Sequence, residues 1–164
     1  MSDCPQIKLL FSSHCKKYKI LLPSDLYNII TKECIRRLPN ETGGILIGKY
    51  RDNKIIITQI TKPKKNAKLK LFTFERSPKG LSKLLIEHWN KFPREYYIGE
   101  WHFHPSESPK PSTKDLKQMK QILNDKNIDC AKPILLIVDK INSGNLRFNF
   151  YISSRTGDFI SFTN

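Results

Sequence analysis

Two histidines one residue apart, His102 and His104, are followed by seven residues, then Ser112, two more residues and Asp115. If the stretch from Tyr96 to His104 is a strand, its side chains alternate between two faces. Tyr97, Gly99, Trp101 and Phe103 then share one face, and Ile98, Glu100, His102 and His104 the other. Both imidazoles can reach one ion, and a loop plus the first turn of a helix can return Asp115 to them. Two histidines and one carboxylate leave the fourth tetrahedral position of zinc open for water, which is the catalytic pattern and not the structural one. Zinc lowers the pKa of such a water to roughly 7. The same residues have a plainer reading. Strand histidines are often satisfied by hydrogen bonds alone, and Ser112-x-x-Asp115 is the pattern of a helix capping box. Spacing by itself leaves both readings standing. Glu100 lies one strand repeat before His102, roughly 6.5–7 Å away at Cα, and can be either a rival base or a partner that orients the imidazole. Glu41, on its own, is an acid at a turn.

These residues need a scaffold. Pro23-Ser24-Asp25 opens a helix running to about Leu38, with Ser24 able to cap it and Leu26, Ile29, Ile30 and Cys34 at helical spacing. Gly44–Gly48 and Lys54–Thr58 read as a hairpin joined by Arg51-Asp52-Asn53. A third strand is predicted over Leu69–Phe74, and Ser77-Pro78 starts a second helix in which Leu81, Leu84, Leu85 and His88 share a face. After the Tyr96–His104 strand comes a Pro/Ser loop. A helix from Ser112 to about Asp125 follows, with Leu116, Met119 and Leu123 inward, and strands at Pro133–Asp139, Leu146–Ser153 and Gly157–Phe162 close the chain. That order indicates an α+β or mixed three-layer domain. His14 and His88 look like ordinary loop and helix histidines.

The length, 164 residues with 38% apolar and 10% aromatic content, fits one domain over 1–164 with a single core. Its apolar runs, such as Ile134–Val138, are far too short to cross a bilayer, and the N-terminus carries no signal-peptide pattern. A cytoplasmic protein with no membrane association is the expectation. Cys4, Cys15, Cys34 and Cys130 are irregularly spaced, which argues against a disulfide framework or a zinc knuckle and for reduced, mostly buried thiols. The net charge is 29 − 15 = +14. Between Lys62 and Lys83 there are eight Lys or Arg against one acid, Glu75. A solvated basic face accounts for this stretch, and weak binding of nucleic acid or an acidic protein is its functional alternative.

Taken together, Glu41-Thr-Gly-Gly, His102-x-His104, seven residues, Ser112 and Asp115 resemble the signature of the JAMM (Jab/MPN⁺) zinc metalloproteases. The resemblance extends over nearly the whole chain. It implies a three-layer α/β/α-like fold, related to cytidine deaminases, with a mixed, mainly antiparallel sheet flanked by helices. It also implies one zinc ion per chain on His102, His104 and Asp115, with Glu41 as the proton-transferring base. Ser112 would donate a hydrogen bond to the scissile carbonyl oxygen. The family's acid stands at the Glu41 position, which ranks Glu100 below it as a base and leaves it as a supporting partner. Phe103 replaces the Ser or Thr that many members have there and is expected to point away from the metal.

The compact chain is similar to bacterial stand-alone JAMM peptidases. Some of these are encoded in anti-phage or mobile-element operons, including the peptidase of CD-NTase (cyclic-oligonucleotide synthase) systems and the deconjugases of ubiquitin-like operons. The implied substrate is a protein conjugate, cut after the C-terminus of a ubiquitin-like or conjugated protein, with the tail held on a strand edge beside the metal. Two alternatives remain. RadC-like nucleic-acid-associated proteins share the fold and a similar string. Metal-free MPN scaffolds share the fold but lose the ligands retained here.

Overall fold

Ile45–Ile47 and Ile134–Val138 are buried along their whole length, so the sheet that holds them must be covered on both faces. The computed structural model describes residues 8–63, 78–106, 108–126, 128, 130–141, 143–154 and 159–163. Its elements are β1 (Lys8–Ser13), β2 (Lys19–Pro23), α1 (Ser24–Arg37), β3 (Thr42–Arg51), β4 (Lys54–Ile60), α2 (Pro78–Trp89), β5 (Tyr96–His104), α3 (Thr113–Asn124), β6 (Ile134–Lys140), β7 (Leu146–Ser153) and β8 (Phe159–Thr163). The strands close into a barrel in the order β1-β2-β4-β3-β5-β6-β7-β8. The β2–β4 and β5–β6 pairs are parallel and the others antiparallel.

The expected three-layer sandwich is corrected here. The mixed, mainly antiparallel character holds, but the hairpin β1–β2, absent from the sequence reading, joins β4 on one side and β8 on the other. That removes the open edges a layered sheet would keep. One core joins Phe11, Leu22, Trp101, Phe103 and Phe150 to Leu26, Ile30 and Cys34 of α1. A second joins Ile45, Ile47, Tyr97 and Ile137 to Met119 and Ile122 of α3 and to Leu84 and Leu85 of α2.

Several local expectations change. Ser24 is the first helical residue and makes no cap, because β2 runs directly into α1 with Pro23 at the N-cap. Ile29 and Leu116 face solvent. The inward face of α3 is set by Asp115, Met119, Ile122 and Leu123. The strand at Leu69–Phe74 lies outside the described residues, as do Lys64, Lys65, Lys68, Lys70, Glu75 and Arg76 of the basic stretch.

The alternation of β5 breaks at its centre. Ile98 packs in the same core as Trp101 and Phe103, while Tyr97 falls into the core under α3. The pairing with β3 steps from Leu46↔Gly99 to Ile47↔Tyr97, leaving Ile98 as the extra residue of a β-bulge. Gly99 makes this bulge feasible. Its φ is +152°, and a Cβ there would sit 1.9 Å from the Ile134 carbonyl oxygen. From Glu100 onward the expected alternation holds, so His102 and His104 stay together.

Candidate metal centre

The centre forms where the C-terminal end of β5 meets the N-terminus of α3. β5 is paired with β3 and β6 on either side from Gly99 to Phe103, which fixes the backbone under the two imidazoles. The loop after His104 is pinned by Tyr151 of β7, whose hydroxyl donates to the Pro109 carbonyl at 2.8 Å. Ser112 then caps α3. Its backbone N–H and its hydroxyl each donate to Asp115 Oδ2 at 2.6 Å, and the Asp115 N–H donates to Ser112 Oγ at 3.2 Å. The capping box is therefore real, and it also orients Asp115 toward β5. The plain and the metal readings of Ser112 and Asp115 describe one arrangement.

His102 Nδ1 donates to Asp115 Oδ1 at 2.6 Å, and His104 Nε2 lies 3.4 Å from Asp115 Oδ2. One ligand atom from each of His102, His104 and Asp115 falls within 4.8 Å of the others. The residues are 5%, 9% and 5% exposed. They line a cavity of about 130 Å³ together with Glu41, Thr42 and Ser112. Glu41 is exposed at the mouth, just before β3, and its charge acts on His104. Phe103 packs in the barrel core and also contributes to the cavity lining. Glu100 does not line the cavity. It is 3% exposed behind His102 and accepts from His102 Nε2 at 3.1 Å.

The electrostatics fit a cation site. Burial works against a charged His102, but hydrogen bonds to Asp115 and then Glu100 outweigh it and raise its pKa to about 9. His104 is raised chiefly by its hydrogen bond to Asp115, against burial, with help from the Asp115 and Glu41 charges. Burial alone would raise Asp115, yet hydrogen bonds from His102, His104 and Ser112 hold it well below the usual carboxylate range. The metal-free cluster thus stores protons on its imidazoles, and a cation is what would displace them. Two imidazoles and a carboxylate, buried and convergent, suit zinc in type and number.

Two contributors were not anticipated. Gln118 Nε2 donates to Glu100 Oε2 at 2.7 Å, and Tyr97 Oη donates to Glu100 Oε1 at 3.4 Å. Gln118 stands one helical turn after Asp115, a spacing that could have flagged it. Tyr97 could not have been found, since only the bulge brings it to the Glu100 face. His88 proves buried at 4% exposure and bonded to Glu95, while His14 is exposed. Among the described cysteines Cys34 and Cys130 are buried and Cys15 is exposed.

Residues 23–151 match the family described as prokaryotic homologs of the JAB domain. The chain is similar to a CD-NTase/cGAS isopeptidase of Enterobacter hormaechei subsp. hoffmannii, 34% identical over 88% of this chain and 81% of that protein. It is also similar to a CD-NTase/cGAS isopeptidase of Vibrio cholerae, 23% identical over 85% of this chain and 86% of the other. The solution structure of protein DSY2949 from Desulfitobacterium hafniense shares the fold, with a TM-score of 0.55 and 19% identity over 81% of this chain and 84% of that one. This chain belongs to the prokaryotic JAB-domain family. Among its described residues no helix is long and apolar enough to cross a membrane.

Proposed function

We propose that residues 1–164 form a single zinc-dependent isopeptidase domain that hydrolyses the amide bond following the C-terminus of a ubiquitin-like or conjugated protein. The observation that carries this reading is the convergence of His102, His104 and Asp115 with Glu41 around one cavity. Similarity to proteins named CD-NTase/cGAS isopeptidase supports a protein conjugate of a CD-NTase as substrate; an anti-phage setting is the expectation carried by the family resemblance.

His102, His104 and Asp115 would hold the zinc. When bound, zinc supplies Lewis acidity and makes water acidic near neutral pH. Glu41, exposed at the mouth, takes the proton of the attacking water and returns it to the leaving amine. The Ser112 hydroxyl turns from Asp115 Oδ2 to donate to the scissile carbonyl oxygen as charge develops there. Its backbone N–H continues to hold Asp115. The substrate tail adds beside Thr42 and Gly43, which pair with Phe103 and His102 of β5 on one side and, among the described residues, have no strand partner on the other.

Elemental analysis of the purified protein should find about one zinc per chain, lost in His102→Ala and Asp115→Ala. A CD-NTase conjugate should be cleaved by wild type and left intact by Glu41→Ala. Zinc-loaded wild type and Glu41→Ala behaving alike on every cognate conjugate would sink the proposal.

A further inference from the structure

The site depends on which nitrogen of His102 faces the cavity, and that choice is made by Glu100, which lies behind the cavity wall and is held there by Tyr97 and by Gln118 of the wall itself. Glu100 accepts from His102 Nε2 on one oxygen, and the same oxygen takes Gln118 Nε2. Its other oxygen takes the Tyr97 hydroxyl. With donors on both oxygens and 3% exposure, Glu100 is engaged and lacks the access to the cavity that a general base needs. That removes it as a rival to Glu41. A carboxylate so placed instead fixes its imidazole neighbour: it holds the proton on Nε2, so that the Nδ1 proton, donated to Asp115, is the one a metal would replace.

The support reaches into the fold. Gln118 comes from α3, the helix that carries Asp115, so the clamp ties the ring of His102 to the helix bearing another of the expected ligands. Tyr97 reaches Glu100 only because the bulge at Ile98 places both on one face. Gly99, the residue the bulge requires, thereby acts on the site from a distance.

We infer that Glu100, locked by Gln118 and Tyr97, is a positioning residue that sets the tautomer of His102 and presents its Nδ1 as the metal-binding atom. This deepens the zinc reading above and rests on it.

The test uses zinc affinity and ring chemistry rather than turnover. Zinc dissociation constants of wild type, Glu100→Ala, Glu100→Gln, Gln118→Ala and His104→Ala are measured by competition with a chromogenic chelator. Imidazole-¹⁵N-labelled, zinc-loaded wild type is examined by long-range ¹H–¹⁵N correlation. Glu100→Ala should weaken zinc binding by about 10- to 100-fold. Glu100→Gln, which keeps the shape and loses the charge, and Gln118→Ala, on a half-buried helix position, should each weaken it by a smaller factor with the fold intact by circular dichroism. The His102 ring should carry its proton on Nε2 and the metal on Nδ1. Zinc on Nε2 of His102, or Glu100 and Gln118 variants all binding zinc within twofold of wild type, overturns the inference. If zinc is nonetheless bound and lost in His104→Ala, the metal reading survives that result. If wild type takes up no zinc at all, both fall together.

Discussion

Among its described residues the protein contains two buried histidine–carboxylate clusters that look alike and differ in what balances their charge. At the end of α2, His88 donates to Glu95 at 2.5 Å, and Lys91 Nζ reaches the same carboxylate oxygen at 3.1 Å. The Glu95 N–H also donates to the His88 carbonyl, so the cluster ties the helix end to the start of β5. At the other site, the ion pairs of Asp115 and Glu100 are both with histidine. A carboxylate already matched by a lysine gains nothing from a metal. Carboxylates matched only by protonated imidazoles can exchange those protons for a divalent ion. Burial and a short contact therefore do not distinguish a structural histidine from a ligand. Ion pairs without Lys or Arg among the described residues, and a second imidazole on the same cavity, mark out the candidate metal centre.

The sharpest way to break this contrast is to remove a ligand. His104→Ala and Asp115→Ala should each lower zinc occupancy from about one per chain to near zero after dialysis, read by elemental analysis, whereas His88→Ala should retain the wild-type content. Next in size, Glu41→Gln should keep its zinc and lose about 10²- to 10⁴-fold in turnover of a cleaved conjugate. Retained turnover would move the base elsewhere.

The pH response comes third. In the metal-free protein the His102 pKa of about 9 lies above its ordinary 6.5. The stability this pairing adds is complete below the unfolded value and is lost as pH rises through the folded one. Asp115, held below 3.8, adds stability that is present above that value and lost as the pH falls through the lower folded value. Urea unfolding of metal-free protein should thus weaken between pH 6.5 and 9. The zinc-loaded form should instead strengthen over about pH 5 to 7, because its ligands are already deprotonated while the unfolded chain is still shedding protons. Equal slopes for the two forms would mean the imidazoles are not exchanging protons for metal. The smallest effect belongs to the other cluster. His88→Ala should cost about 1–3 kcal/mol by leaving Glu95 short of a buried partner, measured by urea denaturation at unchanged zinc content.

Much of the candidate cluster was legible because it is local. The spacing of His102, His104, Ser112 and Asp115 maps onto one strand end and one helix start, and the capping box that seemed to compete with the metal reading is what orients Asp115. β5 and β7 begin and end where the alternation predicts. What was hidden is non-local or lacks its usual chemical marker. In the turn between β1 and β2, Lys16 has a φ of 56°, a conformation more often given to glycine or asparagine, so no turn signal announced the hairpin. Its partners, β4 and β8, are distant in sequence. The bulge at Ile98 depends on a single glycine within an otherwise regular strand, and only the neighbouring strands reveal that no side chain would fit at Gly99.

Closure of the barrel has a consequence for how it breathes. Its seam is the β1–β8 contact, where the described ladder has two residue pairs, Ser12↔Thr163 and Ser13↔Phe162. Halfway round the circuit is the β3–β5 ladder, with seven pairs running from Thr42↔Phe103 to Gly48↔Tyr96. Amide protons at the seam should exchange with solvent through small, frequent openings, while those of Gly43, Ile45 and Trp101 wait for global unfolding. The barrel can thus unzip at its seam and reclose without disturbing the strand that carries the two histidines.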